Sequence, residues 1–352
     1  MEKDKGAMVL GLMLVFLTAS SIINLKLVKA DNPSNITINV DGSINPISAP
    51  ILRAGNKYML TGDFDGYLTI EASDIILDGA GYTVKGLEGE NIVNTENPSM
   101  EEVTAIYDLT NVTVKNFVIR GEFDLVRFGI KMSRASNFSI INNSISNVYI
   151  AITVDGSGNT ISGNNITNIQ HIAIRTGANG IIMGNTITNA RGISGVAIAI
   201  SSNSSVISNL IKNNDCGIAS HTLGGPLFPY ATPPSGNIVY GNNFVNNSYN
   251  VVNSGSEGAY IGKIASWDNG SIGNYWSDYN GTDSDGDGVG DTPYVIDENN
   301  QDNYPLMAPF ESLPSPEPQP REFFPTMLIL ASLVPAAVVG LGLFVYFKKR
   351  KK

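Results

Sequence analysis

Five stretches in the middle of the chain decide its fold: IINNSISN at Ile140–Asn147, TISGNNITN at Thr160–Asn168, IIMGNTITN at Ile181–Asn189, VISNLIKNN at Val206–Asn214 and IVYGNNFVNN at Ile238–Asn247. Each runs from an apolar group through a turn-forming residue to a second apolar residue and a trailing Asn. Aligning Ile145, Ile166, Ile187, Ile211 and Phe244 gives spacings of 21, 21, 24 and 33 residues, and Val118 stands 27 before Ile145. The longer intervals read as insertions at one corner of a repeating unit.

Between these blocks lie YIAITVDGSG from Tyr149, HIAIRTGANG from His171 and VAIAISSNS from Val196, where apolar residues alternate with small or polar ones as in a strand. Each unit thus holds two or three strands of three to five residues, too little to bury a core alone. Units stacked in register can bury one together. The predicted fold is all-β, a single-stranded right-handed parallel β-helix, with Ile and Val filling the shaft and Asn at corners, where it enters the left-handed region cheaply. Leucine-rich repeats need recurring Leu with a helix per unit, and propeller blades need about 40 to 50 residues.

Composition agrees. The 352 residues include 39 Asn and 39 Ile against 22 Lys plus Arg, and only 15% are charged. Between Asp31 and Pro325, 30 acids face 13 bases, a net charge of -17. That segment repels nucleic acid and anionic lipid and attracts cations. The single cysteine, Cys216, excludes an intramolecular disulfide framework and any paired-cysteine metal motif.

The ends differ from the middle. Residues 1–30 hold early lysines, an apolar stretch from Ala7 to Ala19 and a small residue at Ala30, the grammar of an export signal cleaved after Ala30; an uncleaved anchor reaching Leu25 is the rival. Residues 326–347 are apolar and end at KKRKK, which predicts a transmembrane helix with a cytoplasmic tail at 348–352. Before it, 311–325 includes the Pro-rich SLPSPEPQP and reads as a stalk. The expected order is therefore signal or anchor 1–30, entry cap 31–67, β-helix 68–266, C-terminal cap 267–310, stalk, membrane span and tail. The protein is expected at the cell membrane with its ectodomain outside. HTLGGPLFPYATPPSG at His221–Gly236 interrupts the repeats and suggests a projecting loop, and sequons such as Asn35, Asn111, Asn137 and Asn280 are candidate glycosylation sites.

The strongest local constellation is DSDGDGVGD. Asp283, Asp285, Asp287 and Asp291 fall at positions 1, 3, 5 and 9 of a calcium-loop pattern, with Gly288 at the sharp turn and the Val289 carbonyl at position 7. Tyr294 stands where the pattern has a bidentate Glu, leaving Asp297 or Asp302 to close the shell. A structural calcium ion is the expected cofactor. The aromatics beside it, Asn274–Trp276 and Asp278–Tyr279, suit a cap over the shaft end or a sugar site.

ILDGAGYTV at Ile76–Val84, the repeated GNNI and GNTI turns and GNYWSDYNGTDSDGDGVGDTPY at Gly273–Tyr294 resemble the NosD-like proteins and related carbohydrate-associated β-helix surface proteins of archaea and bacteria, over roughly Ile75 to Phe310. The REFFP and KKRKK tail resembles the anchor of archaeal surface proteins. The resemblance implies a carbohydrate or envelope-protein partner for a non-enzymatic module. It also carries two alternatives. A polysaccharide lyase, hydrolase or epimerase would draw on Glu122, Asp124, Asp155 and Asp215 with Arg127, Arg134, Arg175 and Arg191. A copper-related accessory role would draw on His171, His221, Cys216 and Met59, Met100, Met132, Met183 or Met307, among which no two have ligand spacing.

Overall fold

The computed structural model describes residues 35–86, 91–95, 108–122, 126–192, 195–220, 234–252, 254–255, 258–259 and 263–311. The leader expected at 1–30, most of the interrupting loop after Ser220 and the apolar span at 326–347 with its tail lie outside them.

The described residues form an all-β solenoid of stacked parallel strands. Ten strands make one ribbon, including Ile76–Asp78, Thr113–Lys115, Ser139–Ile141, Thr160–Ser162, Ile181–Met183, Ser205–Ile207 and Asn237–Tyr240. A larger sheet supplies the other two sides of each coil, and Ser144–Val154 and Asn165–Thr176 run continuously from one side to the next.

Register follows the repeat. Ile145, Ile166, Ile187, Ile211 and Phe244 pair in succession and are all fully buried. On the ten-stranded ribbon, Leu77, Val114, Ile140, Ile161, Ile182, Val206 and Val239 form a second buried column. Each such side chain contributes about 1.5–3 kcal/mol by leaving water, so a single coil is marginal and the stack is not. The alignment through Val118 slips by one residue: Val118 pairs with Ser144, and Ile119 pairs with Ile145. Side chains alternate faces along a strand, so the buried column must take Ile119, leaving Val118 half-buried.

Asparagine has two separate roles. Asn116, Asn137, Asn142, Asn147, Asn168, Asn189 and Asn213 take φ between 54° and 58° and turn the corners, as the sequence predicts. The expectation that most of the Asn repeats serve turns leaves out a second set, Asn143, Asn164, Asn185, Asn209, Asn242 and Asn274, which lie inside the shaft with at most 1% exposure. Their amides form a continuous rail. Asn164 Oδ1 accepts the backbone N–H of Asn143 at 2.9 Å and its Nδ2–H at 3.0 Å. Asn185 does the same for Asn164, Asn209 for Asn185, Asn242 for Asn209 and Asn274 for Asn242. The remaining amide hydrogen of each reaches a carbonyl of the preceding coil, as from Asn164 to Ile140 at 2.9 Å. Both amide hydrogens of each rail asparagine thereby find an acceptor within the protein.

Candidate functional site

The rail donates toward the C-terminal end, so its last member needs an acceptor that is not another amide in the series. Asp302 supplies it. Its Oδ2 accepts the backbone N–H of Asn274 at 2.7 Å and the indole N–H of Trp276 at 2.9 Å, while Oδ1 accepts the N–H of Tyr304 at 3.0 Å. The side chain is fully buried, and burial raises its carboxyl pKa against the opposing pull of these donors.

Above the last buried Phe, the aromatics stack. Phe244 and Trp276 lie 4.3 Å apart with rings 8° from parallel, and Trp276 and Tyr294 lie 4.3 Å apart at 10°. Tyr294 belongs to the antiparallel hairpin of Tyr294–Asp297 and Asn300–Asp302, so one hairpin both seals the shaft and terminates the rail.

On the outside of this end lies a cleft of about 230 Å³ lined by Asn247, Tyr249, Asn250, Asp278, Tyr294 and Val295, among others. Tyr249 arrives there by register. Phe128, Ile150, Ile172, Val196, Cys216 and Tyr249 form one column, and among the described residues no strand pairs beyond Tyr249–Val252, so Tyr249 is 67% exposed. The floor is a fixed network. Asn250 Nδ2 donates to Asp278 Oδ1 and to the Tyr294 hydroxyl, each at 3.0 Å, and that hydroxyl donates to the Asp278 carboxylate at 3.1 Å. Burial and the Asp278 charge push the Tyr294 phenol up to about 12, which keeps it a neutral donor. Asn247 ties the network to a second amide rail by accepting from Asn214 at 3.0 and 3.1 Å. Sequence reasoning reached Asp278 but missed Tyr249 and Asn250. The signal was a large aromatic in the last member of a column that otherwise holds mainly aliphatic residues.

The acidic loop brings one carboxylate oxygen from each of Asp283, Asp285 and Asp287 within 4.8 Å of one another. Asp291 stands outside that group. It accepts the N–H of Ser284 at 2.9 Å and its hydroxyl at 2.7 Å, and these bonds lower its pKa. Asp283 accepts the N–H groups of Gly286 and Gly288 at 2.7 and 3.0 Å, and Asp287 accepts the N–H of Val289 at 2.8 Å. The two expected closing ligands are not in that group: Asp302 ends the amide rail, and Asp297 accepts from the Asn300 amide at 2.8 Å.

The carboxylates of the enzymatic alternative are engaged elsewhere. Glu122 pairs with Lys85 at 2.6 Å, Asp155 with Arg175 at 3.2 Å, and Asp215 accepts the N–H of Gly192 at 3.0 Å. Asp124 lies outside the described residues. The copper donors are dispersed. Cys216 stacks two coils beyond Ile172, the neighbour of His171, which places them about 9–10 Å apart at the usual strand spacing. Burial pushes the Cys216 thiol up to about 12, away from the thiolate that binds metal. Met59 and Met183 share a column but are five coils apart, about 24 Å. Copper prefers imidazole, thiolate and thioether ligands, so the described residues do not fit that ion.

A stacked-coil solenoid with amide rails, an aromatic end seal and a lateral cleft defines a parallel β-helix repeat protein. A family model described as "Periplasmic copper-binding protein (NosD)" matches residues 66–281, and the chain belongs to that family. A search among curated proteins found no match.

Two expectations are corrected by this assignment. Calcium was expected from the loop of Asp283, Asp285, Asp287, Val289 and Asp291, whereas the family is described by copper. The spacing does not by itself name an ion, because Asp-Gly turns also generate it through local backbone and hydroxyl hydrogen bonds. The expected location, a cell-membrane ectodomain with a cytoplasmic tail, gives way to the periplasmic description of the family. No helix among the described residues is long and apolar enough to cross a membrane, and 326–347 lie outside them.

Proposed function

We propose that the chain is an accessory protein of the NosD kind that acts by docking a partner, carbohydrate or an envelope protein, on the side of its solenoid rather than by catalysis. The observation that carries this reading is the engagement of the lateral carboxylates: Glu122 and Asp155 are paired with cations and Asp215 with a backbone N–H. Acid–base chemistry on a sugar needs two carboxyl groups free to exchange protons across the bond being cleaved. The test is turnover. Incubation with uronic-acid polymers, followed by absorbance of unsaturated products and by reducing ends, should give no activity, and measurable turnover would replace docking with an enzymatic reading.

The family description favours a second reading, direct handling of copper. Anaerobic titration with Cu(I) separates the two. Stoichiometric uptake that disappears in Cys216→Ser or His171→Ala would establish a copper site in the described solenoid, whereas the donor geometry leads us to expect no loss in either variant.

A further inference from the structure

The cleft at the C-terminal end has a chemistry that its fold does not require. Closing the shaft needs Trp276 and Tyr294 stacked over Phe244, and ending the rail needs Asp302. Neither needs an exposed aromatic ring beside a carboxylate and two amides, yet Tyr249, Asp278, Asn247 and Asn250 meet there around an open space of about 230 Å³. That space has room for about one sugar ring and is small for a protein segment.

The polar groups set the sign of the ligand. Among the described residues no Lys, Arg or His lines the cleft, and Asp278 gives it one negative charge. Asp278 accepts from Asn250 and Tyr294 but, as a carboxylate with about four acceptor positions, has capacity left for a ligand donor. A ligand with several hydroxyl groups and no charge can donate to Asp278 and lay an apolar face on Tyr249. A carboxylated or sulfated sugar would meet an unpaired like charge. The network from Asn214 through Asn247 and Asn250 to Asp278 is already formed, so little ordering is left for binding to cost.

We infer that the cleft formed by Tyr249, Asn250, Asp278 and Tyr294 is a binding subsite for a neutral saccharide, with Tyr249 as the stacking platform and Asp278 as the acceptor of sugar hydroxyls. It rests on the docking reading and narrows it to uncharged glycans at one end of the solenoid.

The experiment is calorimetric titration of the full chain with three probes: a panel of neutral hexose and pentose oligosaccharides, oligogalacturonate, and a Lys-rich peptide that would exploit the negative charge through cation–π contact. At least one neutral oligosaccharide should bind. Tyr249→Ala should weaken it about ten-fold or more, the scale of one lost aromatic contact, with the melting temperature unchanged because the ring is mostly exposed. Tyr249→Trp should retain binding, and Asp278→Asn should weaken it. The inference is overturned if no neutral oligosaccharide binds, if only oligogalacturonate or the peptide binds, or if neutral binding survives both Tyr249→Ala and Asp278→Asn. In the last case docking of a glycan stands and only its placement fails, whereas polymer turnover removes the docking reading whatever the cleft binds.

Discussion

The backbone N–H of Asn274 donates to Asp302 Oδ2 at 2.7 Å, and this bond closes an amide rail that begins where Asn143 Oδ1 accepts the N–H of Phe117 at 3.0 Å. A rail of stacked amides is polar along its length, since each member accepts from the one before and donates to the one after. Its far end therefore demands an acceptor. Asp302→Ala leaves the Asn274 N–H and the Trp276 indole N–H buried without this acceptor and frees the partly buried Tyr304 N–H. At about 1–3 kcal/mol for each stranded donor, the expected loss is roughly 3–5 kcal/mol after partial relaxation. Urea unfolding followed by Trp fluorescence should show the midpoint falling.

Within the rail the same reasoning separates the two asparagine roles. Asn185→Leu strands two hydrogens of Asn164 and the Ile161 carbonyl, and takes from Asn209 Oδ1 one of the two hydrogens it accepts. It should cost about 3 kcal/mol or more, because several buried groups lose partners at once. Asn189 sits at a corner with φ of 58° and is not fully buried. Replacing it with Gly should change stability by no more than about 0.5 kcal/mol, while Val there should cost about 1–2 kcal/mol through backbone strain. Equal losses for Asn185→Leu and Asn189→Gly would sink the distinction.

The solenoid was legible because its signal is repeated. Ile145, Ile166, Ile187 and Ile211 sit at near-constant spacing, and only a stacked coil places them in one column. The rail was legible in principle, since residues able to enter the left-handed region precede Asn in Asn142-Asn143, Gly163-Asn164, Gly184-Asn185 and Gly241-Asn242. Reading both residues of each pair as turn formers hid it, because composition does not say which amide faces inward. The cleft was harder still. Tyr249 and Asp278 are 29 residues apart, and they meet because Tyr275–Trp276 stacks in parallel on Asn243–Phe244, which sets the turn holding Asp278 beside the coil that carries Tyr249. In the acidic loop the spacing brings Asp283, Asp285 and Asp287 together but, being one that local hydrogen bonds also produce, does not name an ion.

Cys216 gives a reactivity prediction. It is 7% exposed, its Sγ lies 3.3 Å from the Ile218 carbonyl, and burial pushes the thiol up to about 12. At pH 8 the thiolate fraction is then about one in ten thousand, so a chromogenic disulfide reagent should label the folded protein far more slowly than the denatured one. Labelling at comparable rates in native buffer and in guanidinium would show an accessible thiolate and would reopen Cys216 as a soft metal ligand.

The buried Asp302 also sets a pH dependence whose sign differs from that of an ordinary paired carboxylate. Its folded-state pKa is raised, chiefly by desolvation, so in the window between the unfolded value near 3.8 and the raised value the native protein holds more protons than the unfolded chain. Stability from this group is therefore greatest at or below the unfolded value and falls as pH rises through the folded value. Asp302→Asn keeps the shape and an acceptor oxygen but removes the titration. The melting temperature of the native protein relative to Asp302→Asn should decline as pH is raised from about 3.5 toward neutrality, and then level off once the carboxyl is ionised in both states. Differential scanning calorimetry of the two proteins across that range reads the difference directly. A relative gain with rising pH would mean that the three N–H donors outweigh burial and hold the carboxyl pKa below its unfolded value.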